Sequence, residues 1–143
     1  MAYCLKPLDE STILLTYAGL VGYLERAKAL PRAVDRMRHT GAKNLLVDFT
    51  HAVVVEEGAA ERADFIACAI TAFSVPNAKV AFVGVSRSIA WPAELACQVR
   101  HVPAIVFPDL ESAVDWLEHG AFSPVTQMPR PQPASQPAYP SRS

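Results

Sequence analysis

Polar side chains that could take part in hydrolysis follow the ends of three predicted strands. In open α/β sheets ligands bind beyond the carboxyl ends of the parallel strands, and that edge would gather Asp48, Thr50, His51, Ser86, Arg87, Ser88 and Asp109. A histidine, carboxylates and serines together would suit a hydrolase. However, residues 85–89 lack the GxSxG sequence that positions a nucleophilic serine. We therefore predict that these groups bond to nearby backbone and cap helices, and that the chain has no catalytic residues.

Three carboxylates share one face of the second predicted helix. Glu57, Glu61 and Asp64 have the spacing i, i+4 and i+7, which brings them onto one side of a helix. A transition-metal site would need a histidine or cysteine beside them, and none follows at helical spacing. We predict no metal ion and no cofactor, and we expect a solvated or partner-facing acidic surface.

The first predicted helix and the residues after it are basic. A basic helix beside an acidic one would give the domain an electrostatic dipole, which could meet an acidic protein or anionic lipid headgroups. A solvated helix face is the simpler interpretation of the same pattern. The basic residues are Arg26, Lys28, Arg32, Arg36, Arg38, His39 and Lys43.

Two apolar surfaces lie on the second and third predicted helices. Ile66 and Ile70 belong to a smooth, alanine-rich face, and Trp91 and Leu95 form a similar patch. The ordinary interpretation is packing against the sheet and against each other. The alternatives are a pocket for a small lipophilic molecule lined by these four residues, or a homodimer interface.

Composition excludes several classes of protein. The chain has 143 residues, 51% of them hydrophobic, and a formal net charge of −1, which fits one folded domain and argues against general nucleic-acid binding. No apolar stretch approaches the ~18 residues of a spanning helix, so we expect no stable membrane insertion. The first residues lack the apolar run of a signal peptide, and Cys4, Cys68 and Cys97 form no CxxC pair. We predict a cytoplasmic protein with reduced thiols.

The chain divides into a folded part, residues 1–120, and a tail, residues 121–143. The tail holds half of the twelve prolines and no acidic residue, so its composition predicts disorder. Residues 137–140 have the PxxP spacing of polyproline recognition sites, although an inert tail is the simpler interpretation.

Hydrophobic periodicity predicts an α/β fold with the element order β-β-α-β-α-β-α-β-α. A hairpin opens the chain, and each later strand is followed by a helix, so right-handed crossovers make the later strands parallel. The fold class is a mixed, mostly parallel sheet of about five strands with an N-terminal β-hairpin and about four helices. Strands are predicted at 3–8, 12–17, 44–50, 79–85 and 104–107, with a polar turn at 9–11. Helices are predicted at 23–39, which Pro31 either kinks or divides and Gly41 ends, at 56–73, from Ser88 or Trp91 to about 101, and at 110–119. The apolar residues spaced for the buried side of the first helix are Leu24, Ala27, Leu30, Val34 and Met37.

Several local strings resemble the STAS superfamily, and within it the SpoIIAA-like branch that is often grouped with the CRAL-TRIO lipid-binding domain. These strings are 45–50 (LLVDFT), 79–85 (KVAFVGV), and 104–107 (AIVF) with the helix at 110–117. The resemblance covers residues 3–118. It implies a bacterial, non-catalytic regulatory domain that binds a protein partner, and its lipid-binding relatives imply a lipophilic ligand as the alternative.

The resemblance also implies a partner-binding site at the loop and helix start in residues 51–61. Anti-sigma-factor antagonists carry a phosphorylatable serine there, and a phosphate at that helix start reverses the local charge. No serine or threonine lies between His51 and Cys68 in this chain. We therefore expect the phospho-switch to be absent and fixed negative charge to stand in its place. The predicted partner-binding residues are His51, Glu56, Glu57, Gly58 and Glu61.

Overall fold

The computed structural model describes residues 3–119 and contains five strands and four helices in the predicted order. The predicted tail, residues 121–143, lies outside the described residues. The strands are β1 (Tyr3–Pro7), β2 (Thr12–Val21), β3 (Asn44–Val54), β4 (Lys79–Val83) and β5 (Ala104–Phe107). The helices are α1 (Tyr23–Thr40), α2 (Ala59–Ala72), α3 (Arg87–Val99) and α4 (Leu110–His119).

The sheet has the order β1-β2-β3-β4-β5, with β1 antiparallel to β2 and every other pair parallel. The predicted mixed, mostly parallel sheet is thus confirmed. The opening hairpin turns through the predicted polar cluster, where the Ser11 N–H donates to Asp9 Oδ1 at 2.8 Å. Because the later strands are parallel, their carboxyl ends and the starts of the following helices lie at one edge of the sheet.

Helices cover both faces of the sheet. In β3, Leu45, Val47 and Phe49 alternate toward the larger core, which α1, α2 and α3 close. Leu46 points the other way, into a smaller core that Ala113 and Leu117 of α4 complete. This arrangement explains why the run 44–49 is almost continuously apolar, since a strand covered on both faces has no solvated side.

Helix α1 is a single helix although Pro31 lies inside it. Proline has no N–H, so the carbonyl of Ala27, four residues earlier, loses its helical donor. The Cys68 thiol of α2 lies 3.6 Å from that oxygen and donates to it. Gly41 ends the helix in the left-handed conformation, with φ of 79°, as the sequence predicted.

Strands β2 and β3 are longer than the sequence predicted. Strand β3 was expected to end at residue 50, with a loop from His51, but it continues to Val54. Residues 51–54 pair with residues 18–21 of β2 after a bulge between Thr16 and Ala18. Strand β4 pairs with β3 only as far as Asp48. Residues 18–21 and 51–54 therefore form a two-stranded extension beyond the carboxyl edge of the sheet, which we call the β2–β3 ribbon.

Candidate functional site

One face of the β2–β3 ribbon is apolar and open to solvent. Leu20 and Val53 are paired across the ribbon, and they are 71% and 61% exposed. Alternation places His51, which is also exposed, on the same face as Val53. The opposite face carries Ala52 and Val54, which pack against the larger core. Among residues 3–119 the helices therefore hold the ribbon from one side, and its apolar pair faces outward.

An acidic loop, residues 55–58, joins the ribbon to α2. The Glu56 and Glu57 side chains are exposed. Glu57 Oε1 also accepts a hydrogen bond of 2.6 Å from the Tyr23 N–H at the start of α1. A carboxylate suits this position because the first N–H groups of a helix lack intrahelical partners and carry partial positive charge. Glu57 thus anchors the loop to α1, whereas Glu56 has no comparable contact within residues 3–119.

The remaining predicted partner-binding residues lie at the beginning of α2. Gly58 is the N-cap residue of this helix. The Glu61 carboxylate lies over it, because a Cβ atom at position 58 would stand 2.8 Å from Glu61 Oε1. The structure therefore places the five predicted residues along one continuous path, in the order ribbon, loop and first helical turn. It shows that His51 belongs to a strand rather than to the predicted loop.

The polar groups at the strand ends make local contacts. Asp48 Oδ1 accepts hydrogen bonds from the Thr50 N–H and hydroxyl, at 2.9 and 2.5 Å. Ser86 Oγ and Ser88 Oγ lie 2.9 Å apart. Within residues 3–119, no hydrogen bond joins His51 to a serine.

Asp109 caps α4, as the sequence predicted. Its Oδ1 accepts a 2.7 Å hydrogen bond from the Ser112 N–H. The hydrogen bonds from the Ser112 backbone and side chain lower the pKa of the Asp109 carboxyl. This carboxylate thus serves as the N-cap of α4.

The four residues predicted to line a lipophilic pocket are not brought into one cavity. Ile66 and Ile70 are half-buried and pack against the larger core. Trp91 and Leu95 are exposed and border a groove between α3 and the start of β5. The Arg62 guanidinium carbon of α2 lies 5.4 Å from the centre of the Trp91 ring.

The basic segment is mostly solvated, with one exception. Arg26 is only 3% exposed and lies in the core, whereas the sequence placed it on the basic surface. Tyr23, Arg26, Leu30 and Met37 share the buried stripe of α1, and Leu24, which was expected in that stripe, is exposed. The solvated basic residues are Lys28, Arg32, Arg36, Arg38, His39 and Lys43.

Residues 3–119 hold neither a metal-ligand cluster nor a membrane-spanning helix. These residues contain no group of three or more histidine, cysteine, aspartate or glutamate side chains that could hold a metal ion. None of the described helices combines the length and the apolar character needed to cross a bilayer.

Sequence reasoning missed the apolar half of the ribbon surface. Leu20 lies between the predicted strand 12–17 and the predicted helix 23–39, and Val53 lies in the predicted loop that starts at residue 51. The available signal was the hydrophobicity of 20–21 and 52–55 on either side of one helix, which is typical of two paired strands.

Comparison with solved structures identifies the fold. The anti-sigma factor antagonist SpoIIAA, in its unphosphorylated form, matches with a TM-score of 0.54. The match covers 84% of this chain and 100% of SpoIIAA, at 10% sequence identity. The chain has the SpoIIAA-like fold. An uncharacterised protein of SpoIIAA-like fold from Shewanella loihica matches with a TM-score of 0.49 and 17% identity, over 81% of this chain and 92% of that one.

A further match is an anti-sigma factor antagonist from Mycobacterium paratuberculosis, with a TM-score of 0.46 and 14% identity over 81% of this chain and 92% of that chain. At the level of sequence, no family model and no curated protein matches the chain. The SpoIIAA-like fold is therefore assigned from the similarity of the backbones. The order and direction of the strands are part of that similarity.

Proposed function

We propose that this SpoIIAA-like domain is a non-catalytic regulatory domain that binds a protein partner through the β2–β3 ribbon and the acidic loop. The observation that carries the proposal is the paired, outward-facing Leu20 and Val53, on a part of the sheet that none of the helices within residues 3–119 covers on that side. Exposed apolar pairs beside polar residues are typical of protein interaction sites. SpoIIAA itself is described as an anti-sigma factor antagonist, which is a regulatory protein.

The side chains of the proposed surface indicate which kind of partner surface would be complementary to it. Leu20 and Val53 would fill the apolar centre of the contact, and His51, Glu56 and Glu61 would lie at its rim. A partner that fits this surface offers an apolar pocket with lysine or arginine residues around it. The rim charges would speed association and make it sensitive to salt, whereas the apolar centre would supply most of the affinity.

Regulation by phosphorylation of this surface is not part of the proposal. Residues 52–67 contain no hydroxyl group that a serine or threonine kinase could modify. The carboxylates of Glu56 and Glu57 give this corner a negative charge at neutral pH that no phosphatase can remove. We infer that the interaction is constitutive, controlled by the amount of each protein rather than by a modification of this loop.

The test is a quantitative pull-down with the full chain as bait. Leu20→Glu and Val53→Glu each place a charge in the centre of the proposed contact, and Glu56→Lys reverses a rim charge. Val99→Glu is the matched control because Val99 is also exposed and apolar but lies at the end of α3, at the opposite edge of the sheet. Circular dichroism spectra check that each variant is folded.

We expect a partner retained by the wild type and by Val99→Glu to be depleted at least tenfold by either ribbon variant. Glu56→Lys should weaken retention less at high salt than at low salt, because screening reduces the contribution of a rim charge. An unchanged set of retained proteins with folded ribbon variants would refute the proposed surface. Loss with Val99→Glu alone would place the contact elsewhere.

The absence of catalysis is tested separately. His51 makes no hydrogen bond to a serine within residues 3–119, which supports the expectation that the groups at the strand ends form no nucleophile and base pair. In a broad esterase screen we expect no turnover by the wild type, and any activity found should be compared with His51→Ala. Activity that His51→Ala removes would contradict the non-catalytic role. The cytoplasmic location, the homodimer and a lipophilic ligand bound by Ile66, Ile70, Trp91 and Leu95 stay predictions.

A further inference from the structure

The two edges of the sheet differ in their protection against pairing with another strand. Strand β1, at one edge, carries Lys6 and Pro7, and lysine and proline on an edge discourage a further strand. Strand β5, at the other edge, has the sequence AIVF, without a charge or a proline, and it pairs with β4 without a bulge. Within it, Ile105 is 39% exposed. The β5 edge is therefore the unprotected edge of this sheet.

The hydrogen bonds between β4 and β5 determine which backbone groups of β5 face outward. Val80 lies opposite Ala104, and the Val80 N–H donates to the Pro103 carbonyl at 2.9 Å. In a parallel pair this pattern turns the N–H and C=O of Ile105 toward β4, and those of Ala104 and Val106 toward the open edge. No strand within residues 3–119 lies beyond this edge to bond to the outward groups. Two donors and two acceptors are thus available in a row.

The charges that flank β5 have opposite signs at its two ends. Arg100 precedes the strand, Asp109 and Glu111 follow it, and all three side chains are exposed. A strand of the same sequence laid antiparallel beside β5 would place the basic end of each copy next to the acidic end of the other. A parallel strand would place like charges together. The nearby Arg87 is paired within its own helix with Glu94, at 3.7 Å. A second copy of β5 in the antiparallel direction thus complements this edge in charge.

We propose that the β5 edge binds the same edge of a second copy of the chain, antiparallel and with Ile105 at the two-fold axis. Ala104 of each copy then lies opposite the partner's Val106, and the two residues exchange both N–H···O bonds. Because each copy contributes its two outward donors and its two outward acceptors, all of these groups are used. The two five-stranded sheets continue into one sheet, and the same surface of each copy forms the interface.

The residues that flank β5 favour this register. A shift toward the amino end of the strand would need the Val102 N–H, which already donates to the Cys97 carbonyl at 2.8 Å. A shift toward the carboxyl end would need an N–H from Pro108, and proline has none. With Ile105 on the axis, no outward donor or acceptor of β5 is left unpaired.

Apolar side chains lie on both faces of this junction between copies. Ala104 and Val106 pack against the larger core, so alternation turns Ile105 to the other face, on the side of α4. Opposite residues of antiparallel strands share a face, and the two Ile105 side chains would therefore cover each other. On the α3 side, Trp91 and Leu95 border the groove beside the start of β5 and would face the partner's α3. The contact is small, so we expect a weak dimer with a dissociation constant of about 10–100 µM.

The test is sedimentation equilibrium of the full chain between about 1 and 500 µM, a range that spans the expected dissociation constant. The average mass of the wild type should rise with concentration from that of one chain toward that of two. The β5 edge includes neither Ile66 nor Ile70 of the homodimer surface predicted from the sequence. It also lies apart from the β2–β3 ribbon, so the dimer and the proposed function can fail separately.

Two variants break the pairing in different ways. Ile105→Lys brings two positive charges together at the axis, and Ala104→Pro removes an outward N–H without removing a bond to β4. Leu8→Lys is the matched control, because Leu8 is also 39% exposed and follows β1 at the opposite edge. Either edge variant, once circular dichroism has shown it to be folded, should raise the dissociation constant at least tenfold. Leu8→Lys should change it less than twofold.

Cross-linking tests the antiparallel register. Cys4→Ser first removes the exposed native thiol. In that background, Ile105→Cys should form a disulfide between two chains under mild oxidation, because facing residues of a non-hydrogen-bonded pair have Cα atoms about 4.5 Å apart. Leu8→Cys in the same background should not form one.

Three results would overturn the proposal. The first is the mass of one chain at every concentration, which would mean that the β5 edge stays open or receives a different segment. The second is a dimer that both folded edge variants leave unchanged, which would place the contact elsewhere, for example on the apolar face of α2. The third is cross-linking of Ile105→Cys that is no faster than that of Leu8→Cys, which would exclude the register.

Discussion

Gly84 holds the base of the β2–β3 ribbon, and replacing it with alanine should destabilise the domain strongly. Gly84 follows β4 at the point where this strand leaves β3, and its φ is 77°. A Cβ atom there would lie 2.5 Å from the Thr50 backbone nitrogen and 2.8 Å from Thr50 Cα. Both the backbone conformation and the space therefore require glycine.

The loss of stability caused by Gly84→Ala has two parts, and a second glycine in the chain allows them to be measured separately. An L-residue in the left-handed region loses roughly 1–2 kcal/mol relative to glycine. Forcing a methyl group against backbone, which cannot rotate away, adds about 1–3 kcal/mol. Gly41 has φ of 79° and no atom within 4 Å of its Cβ position, so Gly41→Ala carries the first part alone. We expect about 2–5 kcal/mol for Gly84→Ala and about 1–2 kcal/mol for Gly41→Ala.

Urea unfolding followed by circular dichroism measures both values. The slope of the transition should be the same for the wild type and the two variants, so the midpoints report stability directly. Equal losses for Gly84→Ala and Gly41→Ala would refute the reasoning, because they would show that Thr50 gives way at no cost. Domains of this size unfold with a free energy of about 5–15 kcal/mol. With a wild-type value in the upper part of that range, the Gly84→Ala variant is still folded without urea and its midpoint can be measured.

Three further predictions concern single side chains. Glu57→Gln should cost about 1 kcal/mol in urea unfolding through its weakened bond to α1, whereas Glu56→Gln should cost less than about 0.5 kcal/mol; equal losses would contradict the anchoring role. Burial raises the pKa of Cys97 to about 12, so a thiol reagent at pH 8 should modify exposed Cys4 first and Cys97 only on unfolding; rapid native labelling of Cys97 would disprove this. The folded-state pKa of Asp109 is lowered, so its contribution to stability is present above its unfolded pKa, about 4, and is lost as the pH falls through the folded value; the stability difference between wild type and Asp109→Ala should shrink below pH 4, and a constant difference would refute the assignment.

The strands and helices of the SpoIIAA-like fold could be predicted because each carries its own local signal. β5 and α4 have the predicted bounds, since Asp109 supplies the N-cap hydrogen bond at the junction between them. Gly41 ends α1 in the conformation that only glycine adopts readily. In such places the local preference of the chain and the requirements of the fold agree, and a single sequence is sufficient.

The errors fall where tertiary contacts override a local signal. The polar residues Asp48 and Thr50 look like the end of a strand, but they bond to each other and the strand continues past them. Arg26 looks like a surface residue by its charge, yet it stands three residues after Tyr23 and four before Leu30, both of which are buried. Its helical position predicts burial, and only the aromatic rings from β3 and α2, distant in the sequence, make that burial tolerable.

The contacts of the ribbon separate its proposed role in binding from any role in stability. Its inner face is held by the core through Ala52 and Val54, while the outer pair, Leu20 and Val53, contributes little apolar burial to the isolated domain. Substitutions of the outer pair should therefore leave the unfolding free energy almost unchanged while they abolish partner retention. Gly84 should behave in the opposite way, because it fixes the base of the ribbon and acts on binding only through folding. The ratio of lost stability to lost binding thus separates Gly84, which supports the fold of the ribbon, from Leu20 and Val53, which would contact the partner.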